Sequence, residues 1–173
     1  MRWMWIDCIV HFEAERSMHA IKNVSLAEEH LHDHFDGSDG EVPQAIMPAS
    51  LIVEGMAQTA GLLVGSMSRF KEKVVLAKIQ RAEIDEDVVP GQCLRYEAEI
   101  VRLGHGGAAT AGRIMRLDHR EGVWKQIGSV DLMFSHIDNN MSGREFPEEN
   151  FVFGENFKGI LRASGLDVYD DEG

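Results

Sequence analysis

A histidine and a carboxylate in contrasting surroundings are the residues of this chain best suited to acid–base chemistry. His34 begins His34–Gly37 (His-Phe-Asp-Gly) in a polar segment, whereas Glu54 lies in Met47–Gln58, which is rich in Leu, Ile, Val, Met, Ala and Gly. An ionised carboxylate is costly on such a surface unless it has a partner or a role. Imidazole titrates near neutrality and a partly buried acid can do so too, so the pair predicts proton transfer at neutral pH.

The segment that carries Glu54 is predicted to be a buried helix over residues 49–70. Its apolar residues lie almost all round the helix, which is typical of burial on every side. Pro48 suits the first turn, and Ser50 is the predicted cap. Three glycines inside the segment each cost about 1 kcal/mol relative to alanine. We therefore expect another backbone to approach this helix closely.

Six segments with strand character surround this helix in the sequence. The predicted strands are 3–13, 17–24, 74–84, 92–103, 108–118 and 123–136. Two strands, one buried helix and then four strands predict an α+β protein with an antiparallel sheet wrapped around the helix. The long polar connection 25–47 is of a kind that is often functional.

The length and the change in composition after residue 136 predict one domain with an extension. Residues 1–136 hold every strand, whereas 137–173 are polar and acidic. We expect this extension to pack on the same domain or to project from it, with a short helix at about 155–165. A chain of 173 residues is long enough for a full hydrophobic core.

The net charge limits the classes of partner that we expect, and the cysteines indicate the cellular compartment. A formal net charge of -12 argues against nucleic acid or an anionic membrane surface as the main partner. Cys8 and Cys93 fit no metal or redox spacing and are expected to be buried thiols in a reducing compartment, with a single disulfide as the alternative. We expect a cytoplasmic protein, because the chain shows no secretory signal and no run of eighteen apolar residues.

Four blocks of the sequence resemble, in order, the 3-hydroxyacyl-acyl carrier protein dehydratases, the FabZ/FabA-type hot-dog proteins. These blocks are Ala20–Ser25, His34–Gly37, Met47–Gln58 and Val88–Gly91. The third is the most specific and is similar to the family's Pro-Gly-Val-Leu-Ile-x-Glu-Ala-Met-Ala-Gln. The resemblance implies a hot-dog fold, with the long helix inside a curved sheet. It also implies a homodimer whose sheets join edge to edge, with a trimer of such dimers as a further assembly.

The same resemblance implies roles for five residues. His34 of one subunit is the expected base at C2 of a 3-hydroxyacyl thioester, and Glu54 of the other is the expected acid for the leaving hydroxyl. The backbone N–H of Ala49 is expected to stabilise the thioester oxygen, Gln58 to orient Glu54, and Phe35 to contact substrate. The acyl chain is expected in an apolar tunnel, the partner is expected to be acyl carrier protein or a similar carrier, and no cofactor is expected.

Several positions depart from the family pattern. Asp33 and Asp36 replace a glycine and a proline around His34, and 38–45 resembles an insertion. The third strand carries acids in Lys78–Asp87, which would repel an acidic carrier unless Lys71, Lys73, Lys78 and Arg81 form a basic rim. Two alternatives therefore stay open: a hot-dog thioesterase that uses Glu54 alone, and a non-catalytic module that binds acyl thioesters or a partner.

If the resemblance to the family is set aside, simpler interpretations apply to the same residues. A histidine in a polar loop is usually solvated, and Glu54 would complement the helix dipole. His30, His32 and His34 alternate beside Glu29 and Asp33, so a metal site is a further alternative, although a loop does not align the three imidazoles.

Overall fold

A six-stranded antiparallel sheet and a central helix form the fold in the computed structural model, which describes residues 3–31, 45–104, 106–137 and 152–166. The strands are β1 (Cys8–Glu13), β2 (Ser17–Asn23), β3 (Lys73–Ile84), β4 (Cys93–Gly104), β5 (Gly107–Asp118) and β6 (Val123–Ile137). The helices are α1 (Ala49–Met67) and α2 (Glu155–Ala163), and a 3-10 turn spans Glu29–Leu31. The sheet order is β1-β2-β4-β5-β6-β3, so β1 and β3 are the edges.

Helix α1 lies in the concave side of the sheet, where it contacts β2, β3, β4, β5 and β6. Its buried side chains include Met56, Leu62, Leu63 and Val64. The α+β arrangement predicted from the order of elements is therefore confirmed. The helix is apolar on nearly every side because the sheet curves around it and chain segments cover what the sheet leaves open.

Aromatic rings, rather than another backbone, approach two of the three glycines of α1. A Cβ added at Gly55 would lie 2.4 Å from Cζ of Tyr96, and one added at Gly65 would lie 2.5 Å from Cζ of Phe153. The predicted close approach to α1 is therefore observed, but the prediction that another backbone makes it was wrong, because aromatic side chains do. Gly61 differs, because only Cε1 of Phe134 lies within 4 Å of its added Cβ, at 3.6 Å.

The ends of α1 differ from the prediction in two respects. Pro48 occupies the cap position and Ser50 is an exposed residue of the first turn, so the prediction that Ser50 caps the helix was wrong. The carbonyl of Pro48 accepts the N–H of Leu51 at 2.9 Å. The helix ends at Met67 rather than at residue 70, because Arg69 and Phe70 adopt φ of 52° and 58° and leave the helical region.

The N-terminal segment leaves the sheet earlier than its aromatic composition predicted. β1 begins at Cys8 instead of residue 3. The backbone N–H of Trp5 donates to the side chain of Gln58 on α1 rather than to a neighbouring strand. A polar helix side chain therefore replaces the strand partner expected for Trp5, whereas the N–H of Asp7 still donates to the carbonyl of Ile21 in β2, at 2.7 Å.

The described part of the C-terminal extension packs on the sheet domain. Phe153 and Leu161 are buried, and the N–H of Ile9 in β1 donates to Oγ of Ser164 at 3.0 Å. The short helix predicted here is α2. Among the described residues, no helix combines the length and apolarity needed to cross a bilayer.

Both cysteines are free thiols on strands, as expected, but only Cys93 is buried, whereas Cys8 is half-buried. Cys8 begins β1 and Cys93 begins β4. Burial raises the pKa of both thiols, with the carboxylate of Asp7 adding to the effect. The disulfide alternative is absent from the structure.

Candidate active site

The carboxylate of Glu54 projects from α1 toward a cavity of about 330 Å³. The side chain is half-buried, and its Oε1 accepts two hydrogen bonds. The indole N–H of Trp3 donates at 3.0 Å, and Nε2 of Gln58 donates at 3.0 Å. Glu54 is thus held by one contact within its own helix and one from the N-terminal segment.

Gln58 joins α1 to the N-terminal segment through every polar atom of its amide. Its Oε1 accepts the N–H of Trp5 at 2.8 Å, and its Nε2 donates to the carbonyl of Trp3 at 3.2 Å as well as to Glu54. The residue is buried. It follows Glu54 by four residues, so the two side chains lie about 40° apart around the helix axis. This arrangement fits the predicted orienting role.

The cavity beside Glu54, which we call the Glu54 cavity, is largely apolar. Its remaining lining comes from Ala57 and Gly61 on α1, Val74–Leu76 on β3, Phe134 on β6, and Val152, Phe153 and Phe157 from the C-terminal segment. A largely apolar cavity with one carboxylate and one amide at its edge suits an acyl chain that carries a polar group at one end.

Ala49 lies on the other side of α1 from Glu54. Five residues separate the two, which places their side chains about 140° apart around the axis. Ala49 borders a separate cavity that it shares with Met47, Pro48 and Glu86. A first-turn N–H has no partner within its own helix, so the N–H of Ala49 suits an oxyanion. One protomer does not bring Ala49 and Glu54 into the same cavity.

His34 and Phe35 lie outside the described residues. So do His32 and Asp33 of the alternative metal site. Of the remaining residues of that alternative, His30 packs its ring edge-on against Trp5, with centroids 5.0 Å apart. Within the part of the chain that the structure describes, no group of three His, Cys, Asp or Glu side chains could hold a metal ion.

Trp3 is the residue of this site that sequence reasoning did not identify. Its ring is 59% exposed, yet its N–H reaches a carboxylate 51 positions away in the chain. The only signal was the pair of tryptophans in Trp3–Trp5. By itself, that pair predicts a strand.

Two acids of the third strand and the turn after it, Glu83 and Glu86, are paired with cations. Glu83 bonds Arg81, while Glu86 bonds Arg116 at 2.6 Å and also bonds Lys125. Hydrogen bonds from Arg81 and Lys125 lower the pKa of Glu83 and Glu86 respectively. These pairs reduce the local negative charge. The predicted basic rim needs correction, because Lys73 is buried.

An antiparallel sheet curved around a helix that presents an acid to an apolar cavity defines a hot-dog protein. Solved structures share this architecture. An acyl-CoA hydrolase mutant of Staphylococcus aureus in complex with coenzyme A matches with a TM-score of 0.57 and 14% identity, over 86% of this chain and 80% of that chain. The smu.793 protein of Streptococcus mutans bound to acetyl CoA matches with a TM-score of 0.55 and 12% identity, over 75% and 87%. At such identities the likeness concerns the fold alone.

Sequence comparison identifies the family. The FabA-like domain model matches residues 2–119, so the chain belongs to the FabA-like family. The 3-hydroxyacyl-[acyl-carrier-protein] dehydratase FabZ of Vibrio vulnificus is 37% identical over 114 residues, covering 64% of this chain and 71% of the relative. The FabZ of Desulforamulus reducens is 32% identical over 135 residues, covering 77% and 86%. The predicted family and fold are confirmed.

Proposed function

We propose that this protein dehydrates (3R)-3-hydroxyacyl thioesters on acyl carrier protein to trans-2-enoyl thioesters, in fatty acid or related lipid biosynthesis. The observation that carries the proposal is Glu54, a carboxylate at the edge of an apolar cavity, held by Trp3 and Gln58 in a chain of the FabA-like family. The curated FabZ relatives at 32–37% identity favour dehydration over hydrolysis.

The chemistry divides between the two proposed catalytic residues. His34 takes the proton from C2, and the electron pair of that C–H bond forms the C2–C3 double bond. The C3–O bond breaks as Glu54 gives its proton to the departing hydroxyl, which leaves as water. The N–H of Ala49 stabilises the charge that grows on the thioester oxygen, Gln58 orients Glu54, and Phe35 contacts the substrate.

A homodimer completes this site. Ala49 and Glu54 border different cavities of one protomer, so a thioester in contact with both needs two copies of the chain. The edge strand β3 suits the pairing, because Leu76 and Ile79 are exposed on it and its outer edge has no neighbour in the described sheet. His34 and Ala49 of one protomer then face Glu54 of the other, and such dimers assemble as a trimer of dimers.

The remaining proposals concern carrier, domain and compartment. Acyl carrier protein docks despite the net charge of -12, since Arg81 pairs with Glu83 in β3, and Arg116 and Lys125 pair with Glu86 in the turn after it. Residues 1–136 form the hot-dog domain, and 137–173 are an extension whose described residues 152–166 pack on it. The enzyme acts in the cytoplasm.

Turnover of a 3-hydroxyacyl thioester tests the proposal. The purified protein is given the substrate on acyl carrier protein and on N-acetylcysteamine, and enoyl formation is followed by absorbance and mass. We expect the wild type to release water and His34→Ala and Glu54→Gln each to lose at least about 100-fold in kcat. Exposed residues of the β5–β6 turn give matched controls, His119→Ala and Glu121→Gln, which should keep wild-type kcat.

Two results would contradict the proposal. Release of free thiol without enoyl product, retained in His34→Ala, would assign the protein as a thioesterase. A folded protein that binds the acyl group on either carrier and never turns it over would be a binding module.

A further inference from the structure

We propose that the C-terminal segment limits the length of the acyl chain this protein accepts. The inference rests on the proposed function and adds a specificity determinant to it. The end wall, as we call Val152, Phe153 and Phe157, lines the Glu54 cavity on the side of the C-terminal segment. A chain whose reactive end lies at Glu54 therefore meets aromatic rings at its other end.

The end wall lies about three helix turns away from the acid. Residues Glu54, Gln58 and Gly61 follow one another along α1, and Phe153 packs over Gly65 at the far end. Eleven residues separate Glu54 from Gly65, or about 16 Å of helix at 1.5 Å per residue. The cavity therefore runs along α1 from a polar end to an aromatic end.

The end wall is fixed in position by packing on both sides. The ring of Phe153 stands edge-on to Phe70, with centroids 4.8 Å apart, and is almost fully buried. Helix α2 is held to the sheet by the buried Leu161 and by Ser164, which accepts the N–H of Ile9. Phe157 is only half-buried, so its ring is the part of the end wall most available to a ligand.

The end wall belongs to this chain's own extension. The family match covers residues 2–119, and all three end-wall residues come later in the chain. Chain-length selection by these residues therefore depends on a part of the chain outside the family match, separate from the acid–base residues on α1.

Gly61 gives an independent indication that something occupies the cavity. A helix-interior glycine costs about 1 kcal/mol relative to alanine. Aromatic rings account for Gly55 and Gly65, whereas an added Cβ at Gly61 would meet only Cε1 of Phe134, at an ordinary 3.6 Å. Protein packing among the described residues does not require this glycine. Its place in the lining of the Glu54 cavity fits a need for space there.

The test compares chain-length preference among four full-length proteins: the wild type, Phe157→Ala, Gly61→Ala and Ile160→Ala. Substrates are the 3-hydroxybutyryl, 3-hydroxyoctanoyl and 3-hydroxydodecanoyl thioesters of N-acetylcysteamine. We expect Phe157→Ala to raise the dodecanoyl-to-butyryl ratio of kcat/KM by about tenfold, because pocket contacts of this size discriminate by at least that factor. Gly61→Ala should lower the ratio, since its methyl group narrows the cavity.

Ile160→Ala is the matched control, because Ile160 lies on α2 and packs on the core without lining the cavity. Its ratio should equal that of the wild type. An unchanged ratio in Phe157→Ala and Gly61→Ala would overturn the inference, as would an equal shift in Ile160→Ala. Should Phe157→Ala fail to fold, the opposite shift expected of Gly61→Ala decides the matter.

A binding measurement separates this inference from the proposed function. Saturated S-alkyl pantetheine thioethers of the same lengths are titrated by calorimetry, since they undergo neither dehydration nor hydrolysis. If Phe157→Ala shifts the binding preference, measured by Kd, toward longer thioethers and no protein turns over substrate, the role of the end wall is supported and the dehydratase is rejected. Turnover by all four proteins with the same chain-length dependence of Kd and of kcat/KM would support the dehydratase and reject the end wall.

Discussion

At the scale of single residues, the amide of Gln58 organises the candidate site. The backbone N–H of Trp5 requires an acceptor, which fixes which end of the amide faces it and leaves the NH₂ group for Glu54. Because Gln58 is buried, no solvent molecule readily replaces either contact. The orientation of the proposed acid therefore depends on the N-terminal segment, although none of the four sequence blocks that resemble the family lies in that segment.

Replacing Gln58 by leucine tests this dependence. Gln58→Leu leaves the N–H of Trp5 without its acceptor, so we expect a loss of about 1–3 kcal/mol in the free energy of unfolding and a clear fall in kcat. Urea denaturation and dehydratase kinetics measure the two effects. Gln92→Leu is the control, because Gln92 accepts the N–H of Val89 away from the cavity and should lose stability alone. Wild-type kcat in folded Gln58→Leu would disprove the orienting role.

At the scale of elements, helix α1 combines three glycines with three different surroundings. The ring of Tyr96 fills the space beside Gly55, and that of Phe153 fills the space beside Gly65. Gly61 faces the Glu54 cavity instead. Glycine therefore leaves room for an aromatic ring at two positions and borders an open cavity at the third.

The same substitution should change stability in opposite directions at two of these glycines. Gly55→Ala would place a Cβ 2.4 Å from a fully buried ring, so we expect a loss of about 1–3 kcal/mol despite the better helix propensity. Gly61→Ala has room and should gain roughly 0.5–1 kcal/mol. Melting curves of both variants beside the wild type give the comparison. Equal effects at the two sites would contradict this account of the helix surface.

At the scale of the whole molecule, the placement of Ala49 and Glu54 on different sides of α1 makes the proposed site a property of two chains. A closed two-fold dimer repeats the same contact, so it holds two sites, each with residues from both protomers. Pairing through β3 would also cover the exposed Leu76 and Ile79.

Mixing two inactive variants tests the shared site. When His34→Ala and Glu54→Gln are unfolded together and refolded, random pairing gives half heterodimers, each with one intact site. We expect about a quarter of the wild-type activity to return. Each variant refolded alone should stay inactive, and sedimentation velocity should report dimers throughout. A mixture that is dimeric and inactive would place the whole site within one protomer.

Local patterns in the sequence determined the elements of this protein and part of its site. The helix, the strands after it and the one-turn spacing of Glu54 and Gln58 follow from backbone periodicity, which depends on near neighbours in the chain. The predictions that failed, a cap at Ser50 and a strand from residue 3, concern element ends. There a single tertiary hydrogen bond, such as that of Trp5 with Gln58, outweighs local preference.

Only the tertiary structure decided which distant residues line the Glu54 cavity. Trp3 arrives from the N-terminus and Phe157 from the C-terminus, and each contact depends on how the sheet curves and on how the extension packs. Ala49 and Glu54 lie on different sides of α1, but only the tertiary structure shows that they border different cavities. Periodicity fixes which face of an element a residue occupies, whereas packing between elements fixes what that face contacts.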